Sequence, residues 1–192
     1  MDIATLQAQT RLYLRQKITI MVNRYVVHVA LPDGSEGEMV AFAEQKRMAL
    51  KEQVTLYTDE SRQETLAGFK AHKVLDLAGE YDVVDHTGAP IGMFRKDFAR
   101  SLLRSTWHLR QPGLPTLTGQ ERNPAVALLR RFSDSLEWLP YHFDFSIGAS
   151  IAFSVDRRWG LRDRYTIEIR DPRLDRRLAI AMAVALDALQ AR

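Results

Sequence analysis

The chain has 192 residues, 27 Lys and Arg against 24 Asp and Glu, and 46% apolar residues. That length fits one domain with a core of its own, over 1–192, carrying a helical insertion at about 120–140. The absence of cysteine excludes disulfides, thiolate zinc sites, iron–sulfur clusters and cysteine nucleophiles. The net charge of +3 is a weak pointer to nucleic acid, because 21 of the 27 basic residues are arginine and they are spread along the chain. This reads as a compositional bias before it reads as selection for phosphate. The first seventeen residues hold no apolar run of signal-peptide length, so the expected location is cytoplasmic, at most peripheral to a membrane.

Short β-prone runs separated by turn chemistry follow one another. In RLYLRQKITI and YVVHVAL (11–31) apolar and polar residues alternate, and Pro32-Asp33-Gly34 breaks the run as a hairpin would. Strands are predicted at 39–43 and 54–57, a polar turn at 58–63, and a strand at 65–71. The clearest hairpin is 81–84 and 91–94 around Asp85-His86-Thr87-Gly88, where Asp bonds its own backbone and Gly accepts positive φ. Further strands are predicted at 105–110, 143–147, 151–155 and 164–170. Strands at this spacing, without long helices between them, point to an all-β sandwich or barrel and away from a doubly wound α/β fold.

Two segments break the pattern. Asn123 caps, Pro124 opens and Val126, Leu129, Phe132, Leu136 and Leu139 line one face of a predicted amphipathic helix, flanked by Pro112, Pro115 and Gly119 before it and Pro140 after it. Such a helix covers an end or flank of a sheet, or meets a membrane or partner. The second segment opens with Asp171-Pro172, a cap followed by Pro at the first helical turn, and continues in a breaker-free run from 173 to 191, in which the nine residues 178–186 carry no polar side chain. A helix that is apolar all round must be surrounded by protein or lipid. This run spans only ~13 Å against a hydrocarbon core of ~30 Å, so it is too short to cross a bilayer. Enclosure by a closed sheet is the remaining solution. It needs about a dozen strands, because an eight-stranded barrel is filled by its own side chains. The expected fold is therefore mainly β: a closed antiparallel barrel around a buried apolar C-terminal helix, with one amphipathic surface helix.

The segments LRQKITI, TLYTDES, FKAHKVLDLAGEYDVVDHTGAPIGMFRK, PYHFDF and WGLRDRYTIEIRDPRLDRRLAIAMAVALDAL resemble the LURP-one-related proteins, which share a superfamily with phospholipid scramblases and tubby C-terminal domains. The resemblance covers roughly residues 10–190 and implies a twelve-stranded barrel around a central C-terminal helix. Tubby domains bind phosphoinositide headgroups through a basic pocket, and scramblases are associated with calcium and lipid movement. Neither activity transfers residue by residue. Asp82 and Asp85 flank a turn without the further oxygen donors a calcium loop requires.

Catalytic motifs are missing. Neither GxxxxGK[ST] nor GxGxxG occurs, and His28, His72, His86, His108 and His142 form no metal-binding pair. Ser146-Ile147-Gly148-Ala149-Ser150 is not a nucleophile elbow. No enzyme, no metal and no cofactor are expected, and nucleic acid is disfavoured because basic and aromatic residues do not interleave. The strongest positive signal is 156–164, where Arg157, Arg158, Trp159, Arg162 and Arg164 gather at a predicted hairpin bend. Arginine grips phosphate bidentately and tryptophan favours a lipid interface, so these five are the candidate ligand-binding residues. Asp156 and Asp163 are the local counter-ions, and Trp159 serves equally well as a barrel-wall residue. Arg130-Arg131 is a weaker second basic site. The expected function is a non-enzymatic barrel that binds an anionic lipid headgroup or small apolar ligand at a membrane surface. A structural or protein-interaction module without ligand is the alternative, and an enzyme with a cross-strand site ranks behind both.

Overall fold

The two-residue alternation of apolar side chains becomes the wall of a barrel. The computed structural model describes residues 1–18, 22–46, 53–71, 79–97, 105–123, 142–158 and 164–190. A short helix α1 (Ile3–Gln7) precedes β1 (Arg11–Ile18), β2 (Val22–Ala30), β3 (Glu36–Lys46), β4 (Gln53–Tyr57), β5 (Thr65–Ala71) and β6 (Glu80–Asp85). There follow β7 (Pro90–Lys96), β8 (Thr106–Arg110), β9 (Leu117–Glu121), β10 (His142–Ile147), β11 (Ser150–Arg158), β12 (Arg164–Ile169) and a C-terminal helix α2 (Arg176–Gln190). Each strand is antiparallel to the next and β1 closes on β12, so the twelve described strands form one closed barrel. Closure removes the sheet edges that an open meander would expose.

Inward positions are filled by aromatic rings. Phe69, Tyr81, Phe94 and Trp107 from four successive strands contact one another at 5.2–6.1 Å between centroids, and Phe145 stacks on Phe153 at 4.3 Å. Gly119 leaves the room that the Phe145 ring occupies; a Cβ there would fall inside the ring's contact radius. This explains why β9 is invisible as a strand in the sequence. LTGQE has no apolar alternation because one inward position must be glycine, and another is Glu121, buried at 2% exposure. The expected insertion at 120–140 therefore cannot begin before residue 122, and Gly119 is a strand residue rather than a helix flank. The predicted amphipathic helix lies outside the described residues from 124 onward, and Arg130-Arg131 with it.

The two rims of the barrel differ. One carries tight turns in which Asp33, Asp59, Asp85 and Asp171 accept the backbone N–H two residues on, at 2.9, 2.7, 2.8 and 3.0 Å. Hydrogen bonds from Ser35, Ser61, Thr87 and Arg173 hold these four carboxyls below their ordinary value. Gly34 and Gly88 supply the positive φ, +82° and +86°, that their turns require.

α2 starts at this rim, later than expected. Asp171 closes its own turn, and the helix is capped by Asp175, whose Oδ1 accepts from Arg177 N at 2.9 Å. Gln7 of α1 and Gln111 of the β8–β9 turn decide the choice. Gln7 Nε2 donates to Asp175 Oδ1 at 2.8 Å, and Asp175 N donates to Gln111 Oε1 at 2.8 Å. The role of α1, which the sequence did not announce, is thus to fasten the helix start; Leu6 anchors it at 2% exposure. Arg176 is buried too, its guanidinium donating to the carbonyls of Gln9, Pro172 and Leu174. Residues 178–186 are at most 1% exposed, and α2 packs against β5, β7 and β12. At its far end, Asp187 accepts from the hydroxyls of Tyr25, at 2.9 Å, and Tyr165.

Candidate functional site

At the rim where α2 ends, the described strand termini carry Lys17, Lys70, Lys96, Arg122, Arg158 and Arg164. The arginines expected at a hairpin bend are strand residues: β11 runs on through Arg157 and Arg158, and β12 opens at Arg164. A strand continues here because the β11–β12 ladder keeps its register through Arg157↔Tyr165 and Arg158↔Arg164. Trp159 and Arg162 lie outside the described residues.

Arg157 and Arg164 face different surroundings. Arg157 lines a cleft of about 410 Å³ with Arg11, Arg122, His142, Asp156 and Glu168. The charges of this cleft are largely matched. Arg122 donates to both oxygens of Asp144 at 2.8 and 2.6 Å and lies 3.3 Å from Asp156, which His142 Nδ1 also approaches at 2.8 Å. Arg11 pairs with Glu168 at 2.9 Å. The Arg122 hydrogen bonds, working against burial, keep the Asp144 carboxyl below the usual carboxylate range.

This pair sets a pH dependence with a definite sign. Because its folded pKa is depressed, Asp144 contributes stability that is complete above the unfolded carboxylate value and disappears as pH falls through the folded one. Asp144→Asn is expected to lower unfolding free energy at neutral pH by about 0.2–1 kcal/mol, the range for a pair screened by solvent, here through its half-exposed arginine. Urea unfolding at decreasing pH will show the two proteins converging. A difference that persists in acid below the carboxylate range removes the pair as its cause.

Arg164 sits in a smaller cavity of about 210 Å³ between β12, β1 and the β2–β3 hairpin, lined also by Tyr13, Arg15, Ser35 and Glu36. The hairpin reaches over β1 because register shifts at Val27/His28 and His28/Ala30 bend it. Its tip is fastened by Tyr13, whose hydroxyl donates to Gly34 O at 3.1 Å. Arg15 stands directly across the strand from Arg164, and Arg164 directly across from Arg158. Like charges at facing positions repel unless counter-ions intervene. Arg15 has one: its Nε and Nη2 both lie 2.5 Å from Glu36 Oε1. Arg164 is exposed, and no carboxylate among the described residues pairs with it.

Arg15 was missed in the sequence. RLYLRQK shows it sharing a strand face with Arg11 and Lys17, but only the closure of β1 on β12 brings it beside Arg164. Among the described residues no group of His, Asp and Glu could hold a metal ion, and no helix is long and apolar enough to cross a membrane. The sequence model of the LURP-one-related family matches residues 39–187, most of the chain. No curated protein matches it.

Proposed function

Because the chain belongs to the LURP-one-related family, within the tubby-like superfamily, we propose that it is a binding barrel rather than an enzyme, and that its arginine rim takes an anionic lipid headgroup. In this reading α2 occupies the barrel interior, so the interior is full and ligand must bind at a rim or on the wall. The burial of residues 178–186 and the tie of Asp187 to Tyr25 and Tyr165 support that placement. Arg158, Trp159, Arg162 and Arg164 keep their proposed role, with Arg15 added to them, whereas Arg157 falls in the charge-matched cleft.

The observation that carries the reading is the row Arg15, Arg164, Arg158 at facing positions of three adjacent strands, with Arg164 lacking an acidic partner among the described residues. Arginines at facing strand positions gain most from an anion that several of them can share. Flotation with vesicles of phosphatidylcholine alone, with phosphatidylserine and with phosphatidylinositol phosphates tests it. The protein is expected to float with anionic vesicles only, and Arg158→Ala/Arg164→Ala to reduce the floating fraction several-fold. If the wild type floats with none of them, the headgroup reading fails and the protein-interaction module takes its place.

A further inference from the structure

The cavity under the β2–β3 hairpin has a charge arrangement that selects among phosphates. Two guanidiniums, Arg15 and Arg164, border it, and one carboxylate, Glu36, lies within it. Glu36 Oε1 receives both Nε and Nη2 of Arg15, in the place a phosphate oxygen would take. It is an internal anion already seated on half of the site. The other half, Arg164, is unmatched among the described residues. Ser35 adds no donor, since its hydroxyl is committed to Asp33 at 2.6 Å.

We propose that this cavity is a phosphomonoester site, in which a dianionic terminal phosphate displaces Glu36 from Arg15 and is held by Arg15 and Arg164 together. This deepens the reading above and rests on its premise that the arginine rim takes an anion. The selectivity follows from charge. A phosphodiester carries one negative charge, so in displacing Glu36 it replaces one anion with another and gains little. A monoester near neutral pH carries about −1.5 to −2, as protein phosphates do, and serves both guanidiniums at once. The volume of about 210 Å³ accommodates a phosphate and a short ester arm while the rest of the molecule remains outside. The head of a lipid bearing a terminal phosphate and a small soluble phosphate ester share this chemistry.

Calorimetric titration of the folded chain with glycerol 3-phosphate and with glycerophosphocholine separates monoester from diester. The wild type is expected to bind the first and not the second. Arg164→Gln should weaken monoester binding at least tenfold. Glu36→Gln should tighten it several-fold, because the competing carboxylate is gone, and should let the diester bind. Matching melting temperatures show that the variants are folded. No monoester binding by either the wild type or Glu36→Gln overturns the proposal, as does unchanged binding by Arg164→Gln.

Vesicles distinguish the sources. Flotation with phosphatidic acid, competed by glycerol 3-phosphate, identifies a lipid phosphate. Binding of the soluble ester without flotation on any anionic vesicle keeps this site and ends the membrane reading. Equal flotation on phosphatidic acid and phosphatidylserine, indifferent to Arg164→Gln, ends this site and leaves the membrane reading standing.

Discussion

Replacing Ala181 with arginine is expected to leave no soluble folded protein. Ala181 is fully buried in the middle of the apolar stretch of α2. One turn away on the helix in either direction stand Arg177 and Ala185, so α2 offers the new charge no carboxylate in reach. Leaving a charge buried and unpaired costs several kcal/mol, a large part of the roughly 5–15 kcal/mol by which a domain is stable. Arginine is nearly as good a helix former as alanine, so the loss cannot be assigned to helix propensity. Circular dichroism and soluble yield check it. Native expression and an unchanged melting temperature would show that this face of α2 reaches solvent, and the enclosed-helix reading would fall.

The second large effect is expected at Gly92 of β7. A Cβ built there lies 2.5 Å from the carbonyl oxygen of Arg110 on β8 and 2.7 Å from Leu178 Cδ2 on α2. The leucine can rotate, but the backbone oxygen belongs to a paired strand of a closed barrel and cannot swing aside. Gly92→Val should therefore destabilise at or beyond the upper end of the usual 1–3 kcal/mol for overpacking. For a chain of this size that lowers the melting temperature by roughly 6–12 °C. Adding Leu178→Ala separates the two contacts. The pair should lose less than the sum of the single changes, because one of the two clashes is gone while the carbonyl clash remains. Strict additivity would show that Gly92 and Leu178 do not touch. Gly88→Ala is a useful contrast, since its Cβ meets nothing within 4 Å and its effect comes only from a φ of +86°.

The hairpin YDVVDHTGAPIG was legible because its cause is local: Asp85 accepts from Thr87 N and Ala89 N, and Gly88 takes the left-handed conformation. The apolar run 178–186 was legible for a related reason, since its need for burial is written in consecutive residues. β9 was not, because its inward glycine makes sense only once the Phe145 ring is in place. Nor was the true start of α2. Asp171-Pro172 is the cap the sequence suggests, the helix starts instead from Asp175, and the difference is made by Gln7 and Gln111, far away in the chain.

The candidate site divides in the same way. Arg157, Arg158 and Arg164 stood out as a local cluster, and the ladder does set Arg158 opposite Arg164, but Arg157 lines a charge-matched cleft, while Arg164 belongs also with Arg15 and Glu36. The sequence by itself determined the strand-rich composition, the tight-turn chemistry of one rim and the helix without a polar side, because each depends on neighbours a few positions apart. That the sheet must close followed from the same helix, but the pairing of β1 with β12, the bend of the β2–β3 hairpin over β1 and the unmatched guanidinium beneath it were decided only by the tertiary structure. Arg15 and Arg164 sit near opposite ends of the chain, and charge balance at a site is a property of distance in space.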